Sequence, residues 1–196
     1  MPATTCFDGR GPAVLVVEDE FFIRTAVTEA LRDVGCTVYE AMDYTEAVDL
    51  LASHGDVEAT ITDISMPGPR NGNDLIGVIR EEYPNLIVVA ATGTSIHGLV
   101  DGVLRKPYDP ADAAALVREL VGRRRSENIK QRLEDAERQV AESKEQVQQQ
   151  LALVDRLSAG GHDTADARSI LTQFEELLLV CIAKRNRLQR QISGRQ

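Results

Sequence analysis

The first 120 or so residues alternate short apolar runs with stretches of helical period. Ala13-Val14-Leu15-Val16-Val17 is continuously apolar, which suits a strand buried on both faces of a parallel sheet. Residues 20–34 carry a helical stripe through Phe21, Phe22, Val27, Leu31 and Val34, and Gly35 is a stop. A strand over Thr37–Ala41, a helix over 44–53 and a strand over Glu58–Thr62 come next. The helix over 72–82 must end near Tyr83, because Pro84 succeeds it. Leu86–Ala91 and Gly102–Arg105 are two more strands, and a further helix starts at about Pro110. This alternation predicts an open parallel sheet with helices on both faces. In such sheets the working groups collect at the carboxyl ends of the strands. Residues 1–12, rich in Gly, Pro and Thr, read as a flexible tail before a domain over 13–121.

The pattern changes after residue 121. The remainder, 122–196, contains no Pro and reads as two long helical arms, about 123–158 and 164–193. In the first arm Ile129, Leu133, Ala136, Val140, Ser143, Val147, Gln150, Val154 and Leu157 recur at alternating spacings of four and three, a heptad seam with polar interruptions. Ser158-Ala159-Gly160-Gly161-His162-Asp163 breaks it, and Asp163 or Thr164 can cap the second arm. That arm carries Ile170, Phe174, Leu177, Cys181 and Leu188, widened by Leu171, Leu178 and Ile182. Two helices and a short turn make an antiparallel hairpin. The last helix of the first domain can run straight into the first arm, with only Gly122 in its path. Two helices alone bury such a wide stripe incompletely, so two hairpins are expected to pair as a two-fold homodimer, the alternative being that the stripe packs back on the first domain of its own chain.

Composition narrows the choices. Hydrophobic residues make up 43% of the chain but aromatics only 4%, with no Trp, so the core is aliphatic. The net charge of −9 argues against nucleic acid as a partner, and Arg123-Arg124-Arg125 reads as a solvated stretch. Cys6, Cys36 and Cys181 have neither metal-ligand nor disulfide-framework spacing. No apolar run is long enough to span a membrane, and the start lacks a signal-peptide pattern. The expectation is a cytoplasmic protein. No effector chemistry is visible in 122–196, and His162 reads as a polar turn residue.

Charge placement brings chemistry into view. Glu18, Asp19 and Glu20 lie after the first strand, Asp63 after the third, Thr92 after the fourth and Lys106 after the fifth. Acids after a strand are often no more than favourable helix N-terminal charges, and a lone Asp at a strand end is commonly a turn former. At one sheet edge together they imply more. Clustered carboxylates repel one another, and a magnesium ion, which takes oxygen ligands and keeps several waters, relieves the repulsion. Asp19 and Asp63 are expected as direct ligands, Glu18 through water, and the Ser65 backbone carbonyl as a third protein oxygen. The site then suits phosphoryl transfer, which needs positioning and charge neutralisation. Asp63 is the expected carboxylate nucleophile. Lys106 is expected to share the phosphoryl charge, and Thr92 to donate a hydrogen bond to it.

Four segments carry a resemblance. Val14-Leu15-Val16-Val17-Glu18-Asp19-Glu20, Thr62-Asp63-Ile64-Ser65-Met66-Pro67-Gly68, Ala91-Thr92-Gly93 and Arg105-Lys106-Pro107-Tyr108 are similar to the receiver domains of two-component response regulators. The resemblance covers 13–121. It implies a flavodoxin-like five-stranded parallel sheet, here joined to an all-α antiparallel coiled-coil hairpin. It also implies that Asp63 accepts a phosphoryl group from a histidine kinase and that the domain catalyses this, and its own dephosphorylation, while being no enzyme otherwise. Three departures stand out. Thr92 and Lys106 are only 14 residues apart, so the fourth receiver helix should be one turn or a loop. Val103 stands where receivers usually carry a switching aromatic. Gly68-Pro69-Arg70 lengthens the loop after Asp63 by about one residue relative to the family. These departures resemble a subclass frequent in alphaproteobacteria, in which the loop after the threonine carries the signal. The expected output is protein–protein interaction through the hairpin. The alternatives are a phosphate sink that drains a kinase without further output and, less in keeping with the charge, a DNA-binding regulator.

Overall fold

The computed structural model describes residues 11–93 and 95–193. The expected N-terminal tail therefore falls almost wholly outside the described residues, as does Cys6. Cys36 and Cys181 are free thiols. The chain divides into two units, one ending at Arg124 and one beginning at Arg125.

In the first unit, β1 (Ala13–Val17), β2 (Thr37–Ala41), β3 (Val57–Asp63), β4 (Ile87–Thr92) and β5 (Gly102–Arg105) form one sheet in the order β2-β1-β3-β4-β5. Every neighbouring pair is parallel. The side chains alternate between the faces. Val14, Val16, Ile61, Val89 and Leu104 pack with Val27 and Leu31 of α1 (Phe21–Asp33) and with Ala113, Val117 and Leu120 from the start of α4 (Pro110–Ala159). Leu15, Val17, Val88 and Ala90 pack on the other face, with Leu51 of α2 (Tyr44–Ser53) and Leu75, Ile76 and Ile79 of α3 (Gly72–Glu82). Burial on both faces explains why these strands read as unbroken apolar runs.

Local chemistry sets the helix starts. Asp43 accepts the Glu46 amide at 2.9 Å, while the Glu46 carboxylate accepts the Met42 amide. Asn71 and Asp74 form a reciprocal capping box at α3. No helix forms between β4 and β5 among the described residues. Residues 95–101 lie along α3 instead. The His97 amide donates to the Asn73 side chain, Arg80 Nε donates to the Leu99 carbonyl, and Ile96 and Val100 pack on the α2–α3 core.

The second unit is a helical hairpin, formed by the continuation of α4 and by α5 (Ala165–Ser193). The helix α4 is continuous through Gly122. Along 126–159 all nine heptad positions of the first arm are buried or half-buried, and every other residue is exposed. The Asp163 side chain accepts the Ala165 amide at the start of α5. The inward stripe of α5 differs from the expected one. It runs through Ala167, Leu171, Phe174, Leu178, Cys181, Arg185, Leu188 and Ile192, while Ile170 and Leu177 lie on the outside. The reason is continuity: the stripe from Ala167 to Ile192 keeps a heptad along the whole helix with apolar residues at both of its ends. Polar contacts help fix the register across the hairpin. Gln150 Nε2 donates to the Ala167 carbonyl at 2.8 Å, and Ser143 Oγ lies 3.7 Å from Cys181 Sγ.

Candidate functional site

Parallel registry delivers the predicted residues to one edge. Val17 is level with Thr62, Asp63 with Ala91, and Thr92 with Arg105. Glu18 and Lys106 therefore begin the loops beside the ends of β3 and β4. Carboxylate oxygens of Glu18, Asp19 and Asp63 lie within 4.8 Å of one another. Lys106 Nζ donates to Asp63 Oδ2 at 2.8 Å and to Glu18 Oε2 at 2.9 Å. The Ser65 amide donates to Asp63 Oδ1 at 3.0 Å, so both oxygens of Asp63 are held. Thr92 is buried at the end of β4, and its carbonyl accepts the Lys106 amide. Glu20 is exposed, and its carboxylate is not among the three clustered ones.

The pocket is acidic, and Glu18 and Asp63 are buried in it. Burial pushes the Glu18 carboxyl above its ordinary value; the Asp63 charge adds to this and Lys106 opposes it. Burial alone would lower the Lys106 ammonium, but hydrogen bonds and charge from Asp63 and Glu18 outweigh it and hold the group well above its usual range. Tyr108, after the cis Lys106–Pro107 peptide bond, is pushed up to about 12 by burial and by the nearby Glu18 charge. Three carboxylates face one ammonium, and Glu18 Oε1 is buried without a hydrogen-bond partner. Such an orphaned oxygen is costly, and a hard divalent cation fits this all-oxygen set.

Close packing also fixes the loop after Asp63. A Cβ on Gly72 would lie 2.0 Å from the Asp63 carbonyl, and the Gly72 amide donates to the Ile64 carbonyl. Only glycine lets α3 start this near the end of β3. Two groupings escaped the sequence reading. Arg24 Nη1 donates to the Glu18 carbonyl at 2.6 Å and more distantly to that of Asp19, so a guanidinium anchors the acidic turn. Its signal was a lone cation in the first turn after three acids. Second, Asp101 accepts from Arg80 at 2.7 Å, from Arg124 at 3.0 Å and from the Val88 amide at 2.9 Å. This clamp ties the end of the 95–101 loop to α3 and α4.

The geometry defines a doubly wound α/β domain with an acid–lysine pocket at the carboxyl edge of its sheet. Residues 14–118, more than half of the chain, match the family model for the response regulator receiver domain, and the chain belongs to that family. Among curated proteins it is 34% identical over 125 residues to the response regulator Rre1 of Synechocystis, covering 58% of this chain and 53% of that one. It is 28% identical over 117 residues to the sensor kinase CckA of Brucella abortus, covering 55% of this chain and 12% of the kinase. The chain thus spans about half or less of these relatives. Solved neighbours include a receiver protein from Sinorhizobium medicae, with 26% identity, TM-score 0.54 and coverage of 58% and 97% of the two chains. Another is the response regulator TrrA of Thermotoga maritima, solved in complex with Mg2+–BeF, with 27% identity, TM-score 0.51 and coverage of 56% and 99%. Receiver domains accept a phosphoryl group on an aspartate beside a magnesium site. No helix among the described residues is long and apolar enough to cross a membrane.

Proposed function

We propose that Asp63 is the phosphoryl acceptor of this chain, that a histidine kinase is the donor, and that the C-terminal hairpin is the output. The observation that carries the reading is the Lys106 ammonium bridging Asp63 and Glu18 within a cluster of three carboxylates. An Asp63 carboxylate oxygen attacks the phosphorus of the phospho-donor. The P–O bond to Asp63 forms as the bond from phosphorus to the donor breaks, leaving an acyl phosphate. The Ser65 amide holds the Asp63 carboxylate against rotation, Lys106 offers its charge to the arriving phosphoryl oxygens, and the Thr92 hydroxyl donates to one of them. Asp19, Asp63, Glu18 through water and the Ser65 carbonyl would hold Mg2+, which supplies charge neutralisation when bound. The resulting acyl phosphate acts on Thr92 and through it on 93–101, in place of the aromatic that Val103 replaces. The hairpin transmits the state by assembling as a homodimer.

The test is incubation of the full chain with acetyl phosphate and Mg2+, read by intact mass. Wild type gains one phosphoryl group, whereas Asp63→Ala and chelated wild type gain none. Phosphorylation of Asp63→Ala at the wild-type level would contradict the reading.

A further inference from the structure

The helix α5 carries a second heptad stripe that the hairpin leaves uncovered. Asp166, Ile170, Gln173, Leu177, Val180, Lys184 and Arg187 recur at alternating spacings of four and three, and all seven are exposed. Ile170, Leu177 and Val180 are 42%, 48% and 65% exposed. The stripe is acidic at its start, apolar in the middle and basic at its end. Within the hairpin, Lys184 Nζ donates to Gln139 Oε1. Two heptads further along α4 and two back along α5, the same register sets exposed Leu153 beside Ile170 and widens the apolar centre.

We infer that this stripe is the homodimer interface, with α5 packed antiparallel against α5 of a second copy about a two-fold axis between Gln173 and Leu177. The inference rests on the reading of the hairpin as an assembly module and names its face and orientation. The antiparallel register sets Ile170 against Val180 and Gln173 against Leu177 of the second copy. It also sets Asp166 against Lys184, and symmetry repeats the pair. A parallel pairing would oppose acid to acid and base to base. A polyanion does not suit a stripe with acids at one end. A second copy supplies the required charge order reversed, which is what two-fold symmetry provides.

The test measures dimer dissociation of the full chain by sedimentation equilibrium, with helicity checked by circular dichroism. Asp166→Lys and Lys184→Glu are each expected to weaken the dimer about 10-fold or more, since each places like charges together twice per dimer. An equimolar mixture of the two is expected to recover a heterodimer of near wild-type affinity, because every charge then faces its opposite. Leu177→Glu is expected to be a helical monomer. A dimer unaffected by Leu177→Glu and by both charge variants overturns the proposed face and leaves the hairpin-assembly reading standing. A wild type that is monomeric with and without Mg2+ and beryllofluoride overturns both.

Discussion

At the scale of single residues, the pocket is held by groups that compensate one another. Glu18 is the clearest case: its carboxyl is buried, raised by that burial, and keeps one oxygen unpartnered. Glu18→Gln should lower Mg2+ affinity about 10-fold or more without destabilising the metal-free chain. Calorimetric titration and urea unfolding check the two halves. Gly72→Ala should cost about 3 kcal/mol, because the new Cβ meets the Asp63 backbone at 2.0 Å and one of them must move. Urea unfolding measures it. The Asp101 carboxyl sits below its ordinary value of 3.8: burial opposes this, but the Val88 amide, Arg80 and Arg124 prevail. A depressed carboxyl contributes stability that is present above pH 3.8 and is lost as pH falls through its folded value. Asp101→Asn should therefore cost about 2 kcal/mol at neutral pH, and the gap to wild type should narrow in acid. Unfolding curves from pH 7 down to pH 3 test the sign.

At the scale of elements, what was legible tracks how local the determinants are. The strands and helices of the first unit were readable because apolar runs, Pro84 and the side chains near each helix start fix them within a few residues. The short span between Thr92 and Lys106 announced the missing helix. The α5 stripe was misread because apolar residues from Ile170 to Ile182 cover more than one face. Ile170 and Leu177 compete there with Leu171 and Leu178, and only Ala167, Leu188 and Ile192 at the ends decide the frame. The Asp101 clamp was invisible because its arginines stand 21 and 23 residues away, with no local pattern to join them. The pinning of 95–101 to α3 makes this loop the element expected to respond when Asp63 is phosphorylated. Amide shifts in 93–101 should change on adding beryllofluoride and Mg2+, and unchanged shifts would refute the switch. In the hairpin, Val140→Asp should unfold much of both arms, since it buries an unpaired charge in the seam. A loss of helicity in circular dichroism is the readout.

At the scale of the whole molecule, α4 runs through the boundary between the two units. It packs Ala113, Val117 and Leu120 on the receiver sheet, offers Arg124 to the Asp101 clamp, and continues without a break as the first arm of the hairpin. A single helix thereby belongs both to the phosphoryl-accepting domain and to the proposed output. The 95–101 loop ends at Asp101, which accepts from Arg124 of this helix within the first unit. The proposed function depends on phosphorylation at one carboxylate. The most direct measurement is to phosphorylate the full chain with acetyl phosphate and Mg2+, reduce the acyl phosphate with labelled borohydride, and map the labelled peptide. The account predicts label at Asp63 alone, absent when Mg2+ is chelated. Label at Asp19, at Glu18 or elsewhere, with Asp63 unmodified, would contradict it.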